Sequence, residues 1–370
     1  MFTTPPFGPR DQRRGRGARR AVQMVPGQMH VAGRRVHFAV SNNEAAVGPD
    51  GPGSPPIWAV NIHGYFAGGS MYWRESAHLA ERLGWRVVNP CLPGFAGSDP
   101  LPGTNVDIEQ LASAVTDVLD HVGAGPCVVL GHSMGGAVAM AMADAAPERV
   151  LGVIYRDGVA TPAWRARHGL LVGLIAPTVP DLAGMADLVA AVLLDFPDML
   201  IGRRPRSTLR MTIPDARRNL LVTGQLVPIA SMLLHLDLSE TVARVAARGI
   251  PVLPEWGCFD RIATPAAAAE VSALAGRKVV WVPGGHSWML PRPQGQADVL
   301  SHLPAGQEFL AEITERWRTS FSAPAGARSR PRIAATGLPA AGLPAAGLPA
   351  TGLPADGLSV DGLSVAGQAS

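Results

Sequence analysis

A serine flanked by glycine two residues away on each side, Gly131-His132-Ser133-Met134-Gly135, is the group in this chain best placed for covalent chemistry. Before it, Val128-Val129-Leu130 reads as a buried strand; after it, Gly136 to Ala146 is small and apolar enough for a helix packed on a sheet. Strand, sharp turn and helix in that order lift the Ser133 hydroxyl above the sheet and aim the first helical N–H groups at the same point. Such a turn strains the serine backbone, so its neighbours two before and two after must be glycine. The competing reading is a glycine-rich connection whose serine merely caps the helix.

A hydroxyl is a poor nucleophile without a base, an acid to orient that base, and donors for the developing oxyanion. In a strand–turn–helix setting of this kind the chain order is serine, acid, histidine. Of ten histidines, His168, His235, His286 and His302 follow Ser133. His286 stands apart, because it follows the apolar run Val279-Val280-Trp281-Val282 in a Gly284-Gly285 loop. His168 and His235 fall in a Pro-punctuated helical region, and His302 in a polar stretch before the last helix. Two acids end strands. Asp260 lies immediately upstream of the His286 strand and is the first choice; Asp157 is the alternative, or else a surface carboxylate or one lying behind the catalytic groups. Glu255 lies inside a strand pattern and is less well placed. The oxyanion donors should be the N–H of Met134 and that of Tyr65, just after His63-Gly64, with Phe66 as the neighbouring register.

The elements that must hold these groups follow from hydrophobic periodicity. Residues 28–40 predict a hairpin, and strands are predicted at 57–62, 85–89, 128–130, 150–155, within 250–260 and at 277–282. Helices are predicted near 73–83, 107–122, 136–146, 264–275 and 304–317. That alternation predicts an α/β fold with a mostly parallel, doubly wound sheet covered on both faces. Residues 161–248 break the rhythm with helical segments and repeated prolines, and read as an inserted α-helical cap. Its Leu170, Leu171, Leu174, Ile175, Met185, Leu188, Val189, Leu193 and Leu194 either line an apolar pocket or simply dock the cap. The domain organisation is thus a tail at 1–23, core at 24–160, cap at 161–248, core again at 249–320 and a tail at 321–370. Met24 begins the ordinary sequence and is a candidate alternative start.

Composition bounds the remainder. The net charge is +3, and the excess is local: Arg10, Arg13, Arg14, Arg16, Arg19 and Arg20 crowd the first tail. Lys278 is the single lysine, so arginine richness reads as coding bias, and no nucleic-acid partner is expected. Cys91, Cys127 and Cys258 are widely spaced and odd in number, which predicts free thiols and no metal site. No apolar run follows the N-terminal arginines and none is long enough to span a bilayer, so a cytoplasmic location is expected. From Gly337 a Gly-Leu-Pro-Ala repeat of five residues carries proline too often for helix or ladder.

Taken in order, His63-Gly64, Leu92-Pro93-Gly94-Phe95-Ala96-Gly97-Ser98, Gly131 to Gly136, Asp260 and Gly285-His286 make residues 28–318 resemble the α/β-hydrolase superfamily. The nearest branch is that of capped esterases, carbon–carbon bond hydrolases and cofactor-free haloperoxidases. The resemblance implies a serine hydrolase without metal or organic cofactor, acting on a small ester or acyl substrate. Carbon–carbon hydrolases and thioesterases share the scaffold, and a non-catalytic binding protein could keep it. Two positions depart from the family pattern, Cys91 where Asp is frequent and Ala96 where Gly is frequent. Relatives such as epoxide hydrolases and haloalkane dehalogenases carry Asp where this chain has Ser133.

Overall fold

Eight strands form one sheet in the order β1-β2-β4-β3-β5-β6-β7-β8 in the computed structural model, which describes residues 21–103, 105–166, 212–219 and 226–322. The strands are β1 (Met24–Val31), β2 (Arg34–Ser41), β3 (Trp58–Ile62), β4 (Arg86–Pro90), β5 (Cys127–His132), β6 (Val150–Arg156), β7 (Val252–Gly257) and β8 (Val280–Val282). The β1–β2 hairpin and the β2–β4 pair are antiparallel; every later pairing is parallel. The hairpin turns on Ala32-Gly33, both at positive φ, a geometry that matches the twist of the flanking strands.

The helices are α1 (Trp73–Leu83), α2 (Ile108–His121), α3 (Met134–Ala145), α4 (residues 212–219), α5 (Leu226–His235), α6 (Ser239–Ala247), α7 (Pro265–Ala275), α8 (Gly295–His302) and α9 (Pro304–Ser322). Side chains alternate across the central strands. Val60, Ile62, Val129, Val153 and Tyr155 join one core with α2, α3, α6 and α7. Ala59, Val128, Leu130, Leu151 and Ile154 join the other with α1, α8 and α9. Burial on both faces explains why these strands read as continuous apolar runs. Local signals set the helix ends: Asp107 and Gln110 close a capping box on α2, and Gly84 ends α1 in the left-handed conformation.

β3 is flanked by β4 on one side and β5 on the other, so the segments leaving β3 and β5 diverge to opposite faces. That divergence opens a crevice at the carboxyl ends of the two strands, where His63-Gly64 and Ser133 emerge.

Several elements differ from expectation: the hairpin begins at Met24 rather than residue 28, and the last helix runs to Ser322 rather than residue 317. The elbow helix starts at Met134 rather than Gly136. The last strand spans Val280–Val282, because Arg277 bonds back to Ser272 at the end of α7. A helix, α8, occupies the supposed polar stretch; its Ala297, Val299 and Leu300 are buried, but one short apolar turn between Pro293 and Pro304 gives too little period to read. Between β6 and β7 the regular elements among the described residues are helical: a turn at 162–166, then α4, α5 and α6. Residues 1–20 and 323–370 of the two tails, His168 and the apolar series from Leu170 to Leu194 lie outside the described residues. No helix among the described residues is long and apolar enough to cross a membrane.

Candidate active site

Ser133 sits between β5 and α3 at φ 54°, ψ −120°, a left-handed backbone that a serine rarely adopts. Its N–H donates to the Arg156 carbonyl on β6 at 2.9 Å, and its carbonyl accepts from the Gly136 N–H at 2.9 Å. The side chain makes no capping bond to α3, so the helix-cap reading fails and the hydroxyl is not committed to backbone. A methyl group at Gly131 would overlap the Gly135 carbonyl, and one at Gly135 would overlap the Ile62 carbonyl. The two glycines let the helix leave the strand at van der Waals distance.

His286 and Asp260 come together from separate loops. The Nδ1–H of His286 donates to Asp260 Oδ2 at 2.9 Å, and both side chains are almost wholly buried. Asp260 Oδ1 accepts from the N–H groups of Ile262 and Ala263 at 2.7 and 2.9 Å, which locks the carboxylate in its own turn. The Trp256 indole, bonded to the Ala263 carbonyl at 2.8 Å, holds that turn from below. Cys258 N–H to Val282 O and Phe259 N–H to Gly284 O join the Asp260 loop to the His286 loop.

Asp157 is fully buried, which corrects the surface reading. Its Oδ1 accepts from the Gly257 N–H at 2.7 Å and its Oδ2 from the Trp288 indole at 2.8 Å. Its ligand atoms, with those of Asp260 and His286, lie within 4.8 Å of one another. Burial first, and the neighbouring Asp260 charge second, push the Asp157 carboxyl well above the ordinary carboxylate range. The three groups have the donor types of a metal site, yet a cation would have to displace N–H donors already bonded to both carboxylates. Hydrogen bonding is the state this cluster is built for.

The loop after β3 passes over the elbow: a methyl group at Gly64 would stand 3.2 Å from the Ser133 Cβ. Among the described residues, no acceptor is bonded to the N–H of Tyr65, Phe66 or Met134. Phe66 adopts φ 61°, so the loop turns sharply at this point. His235 and His302, at the ends of α5 and α8, are both exposed and bond to their own helices.

Known proteins share this fold. A family model described as alpha/beta hydrolase fold matches residues 59–199. The enol-lactonase from Burkholderia xenovorans LB400 superposes with a TM-score of 0.57 at 20% identity, over 77% of this chain and 100% of that one. The chain is an α/β-hydrolase-fold protein. In sequence it is 35% identical to the lipase LipV of Mycobacterium tuberculosis over 37% of this chain and 49% of the lipase, so it spans about half of that relative's length. It is also 27% identical to a magnesium-chelatase 30 kDa subunit of Rhodobacter capsulatus, over 61% of this chain and 77% of the subunit.

Within this α/β-hydrolase fold, two residues with no assigned role in the sequence reading tie the site together. The Tyr72 hydroxyl accepts from the Gly64 N–H at 3.3 Å and donates to His132 Nδ1 at 2.6 Å. The His132 Nε2–H then donates to the His286 carbonyl at 2.9 Å. Burial holds His132 far below the usual histidine range, so the ring stays neutral and the network fixes its tautomer. His63 is likewise neutral, lowered to about 4 by burial; its Nδ1–H bonds the Gly64 carbonyl and its Nε2 accepts from the Leu92 N–H. His132 was visible as the second letter of G-x-S-x-G, but nothing in the sequence pointed it at the histidine loop.

Proposed function

We propose that this chain is a serine hydrolase cleaving a carboxylic ester, or a related acyl bond, of a small apolar-sided molecule through an acyl-enzyme. Ser133 attacks the carbonyl, His286 takes its proton and returns it to the leaving group, and Asp260 holds the imidazole with Nδ1 protonated. The N–H groups of Met134 and Tyr65, with Phe66 one register away, receive the oxyanion. Residues 161–248 act as a cap over the crevice.

One observation carries this reading: the 2.9 Å bond between Asp260 and His286, in loops that His132 fastens to an elbow whose serine hydroxyl caps nothing. The lipase and enol-lactonase names among similar proteins point the same way for the ester bond. The test is labelling by a fluorophosphonate, which needs nucleophile, base and oxyanion donors together. The wild type should label and Ser133→Ala should not, with kcat on a p-nitrophenyl ester falling by about 10⁶. Unlabelled, folded wild-type protein would remove the proposal.

A further inference from the structure

We propose that Asn219, on α4 of the segment between β6 and β7, is a positioning residue that sets the oxyanion loop; this rests on the serine-hydrolase reading above. Asn219 is fully buried and every hydrogen-bonding group of its amide has a partner. Its Nδ2 donates to the carbonyls of Phe66 at 2.9 Å and Ala67 at 3.0 Å. Its Oδ1 accepts from the Ala96 N–H at 2.7 Å. With two carbonyls on one side and an N–H on the other, the amide fits in a single orientation.

Both backbones that Asn219 grips are strained. Phe66 and Ala96 sit at φ 61° and 49°, a left-handed backbone that residues with a side chain rarely adopt. Fixing the Phe66 and Ala67 carbonyls fixes the two peptide planes immediately after the Phe66 N–H, which holds the end of the turn that carries the Tyr65 and Phe66 N–H groups. Those are the N–H groups the oxyanion requires, and such donors act through being held in place beforehand.

Two further anchors come from the same segment. Asp215, one turn before Asn219 on the same face of α4, accepts from the Ser70 hydroxyl at the far end of the loop. Its carboxyl fills the space beside Gly68, where a methyl group would overlap it. The Tyr65 hydroxyl donates to the Leu226 carbonyl at 2.6 Å. The loop from Gly64 to Ser70 is therefore fastened by the inserted helices at three places.

The experiment compares wild type, Asn219→Ala and Tyr65→Phe in p-nitrophenyl butyrate turnover and in fluorophosphonate labelling, each well below its melting temperature. Loss of transition-state stabilisation alone lowers kcat and leaves KM unchanged. Asn219→Ala should lose at least about tenfold in kcat and in labelling rate, with KM within about twofold. Tyr65→Phe, which removes one hydroxyl and no backbone donor, should lose several-fold in the same two quantities. If Asn219→Ala fails to fold, Asn219→Asp, which keeps the acceptor for the Ala96 N–H and loses the donors to the Phe66 and Ala67 carbonyls, takes its place with the same expected loss. Wild-type rates in the folded variants, or a loss confined to KM, would overturn the inference. A wild type that neither labels nor turns over would instead overturn the hydrolase reading.

Discussion

Replacing Glu255 by glutamine should remove a pH dependence of stability that the fold imposes on this carboxyl. Glu255 lies fully buried on β7, in register with Arg156 on β6. The single guanidinium there is already committed: Arg156 bonds Glu75 at 2.6 Å and Asn61 at 2.6 Å. A second carboxylate would leave this buried group with net negative charge, and Glu255 has one bond from Gln296 Nε2 at 2.8 Å for its Oε1, while its Oε2 has none among the described residues. Burial pushes its pKa from 4.5 up to about 8, against the pull of Gln296 and Arg156. Between those two values the unfolded chain has released the proton and the folded chain keeps it, so stability falls as pH rises. A tenfold change in proton affinity is about 1.4 kcal/mol, which makes the loss about 3 kcal/mol by pH 7. Glutamine resembles the neutral acid and keeps the Gln296 contact. Urea unfolding across pH should therefore show the two proteins level near pH 4.5 and Glu255→Gln more stable by about 3 kcal/mol at pH 7, with the gap widening until about pH 8. Parallel pH curves, or a less stable glutamine variant at pH 7, would mean that the carboxyl is ionised in the fold and the charge argument is wrong.

Two other outcomes follow from the site. Asp260→Asn turns an amide N–H toward His286 and should cost about 10⁴ in kcat, whereas Asp157→Asn replaces an acid that burial already keeps neutral and should cost less than about tenfold, with a stability loss of about 1–3 kcal/mol for one N–H left unbonded; steady-state kinetics on both would reassign the acid if the order were reversed. Of the three thiols, exposed Cys258 should react quickly with a disulfide reagent, while Cys91 and Cys127, both buried and pushed up to about 12, should wait for unfolding; three fast thiols in the native protein would contradict the burial of β5 and of the loop after β4.

Chain order and local pattern determined a good deal here without coordinates. Strand–glycine–serine–glycine–helix specifies the elbow, because only glycine tolerates the approach of Gly131 to the Gly135 carbonyl. Apolar runs bounded by turns located the parallel strands, and the position of His286 after the last of them selected it from four candidates. Asp260 over Asp157 is a choice by topology; in the structure Asp260 bonds the imidazole, while Asp157 bonds an indole and a backbone N–H.

What the tertiary structure alone decided is long-range and polar. Asn219 reaches a loop more than 150 residues away in sequence, from a stretch, Arg217-Arg218-Asn219-Leu220, with no periodic signal for it. His132 and Tyr72 look unremarkable until three loops meet, and Glu255 becomes unusual only because Arg156 beside it is already paired. Hydrophobic periodicity records which face of an element is buried. It carries no record of which buried polar groups will meet there, since that depends on how separate elements pack, and the hydrogen bonds of this site are made almost entirely between them.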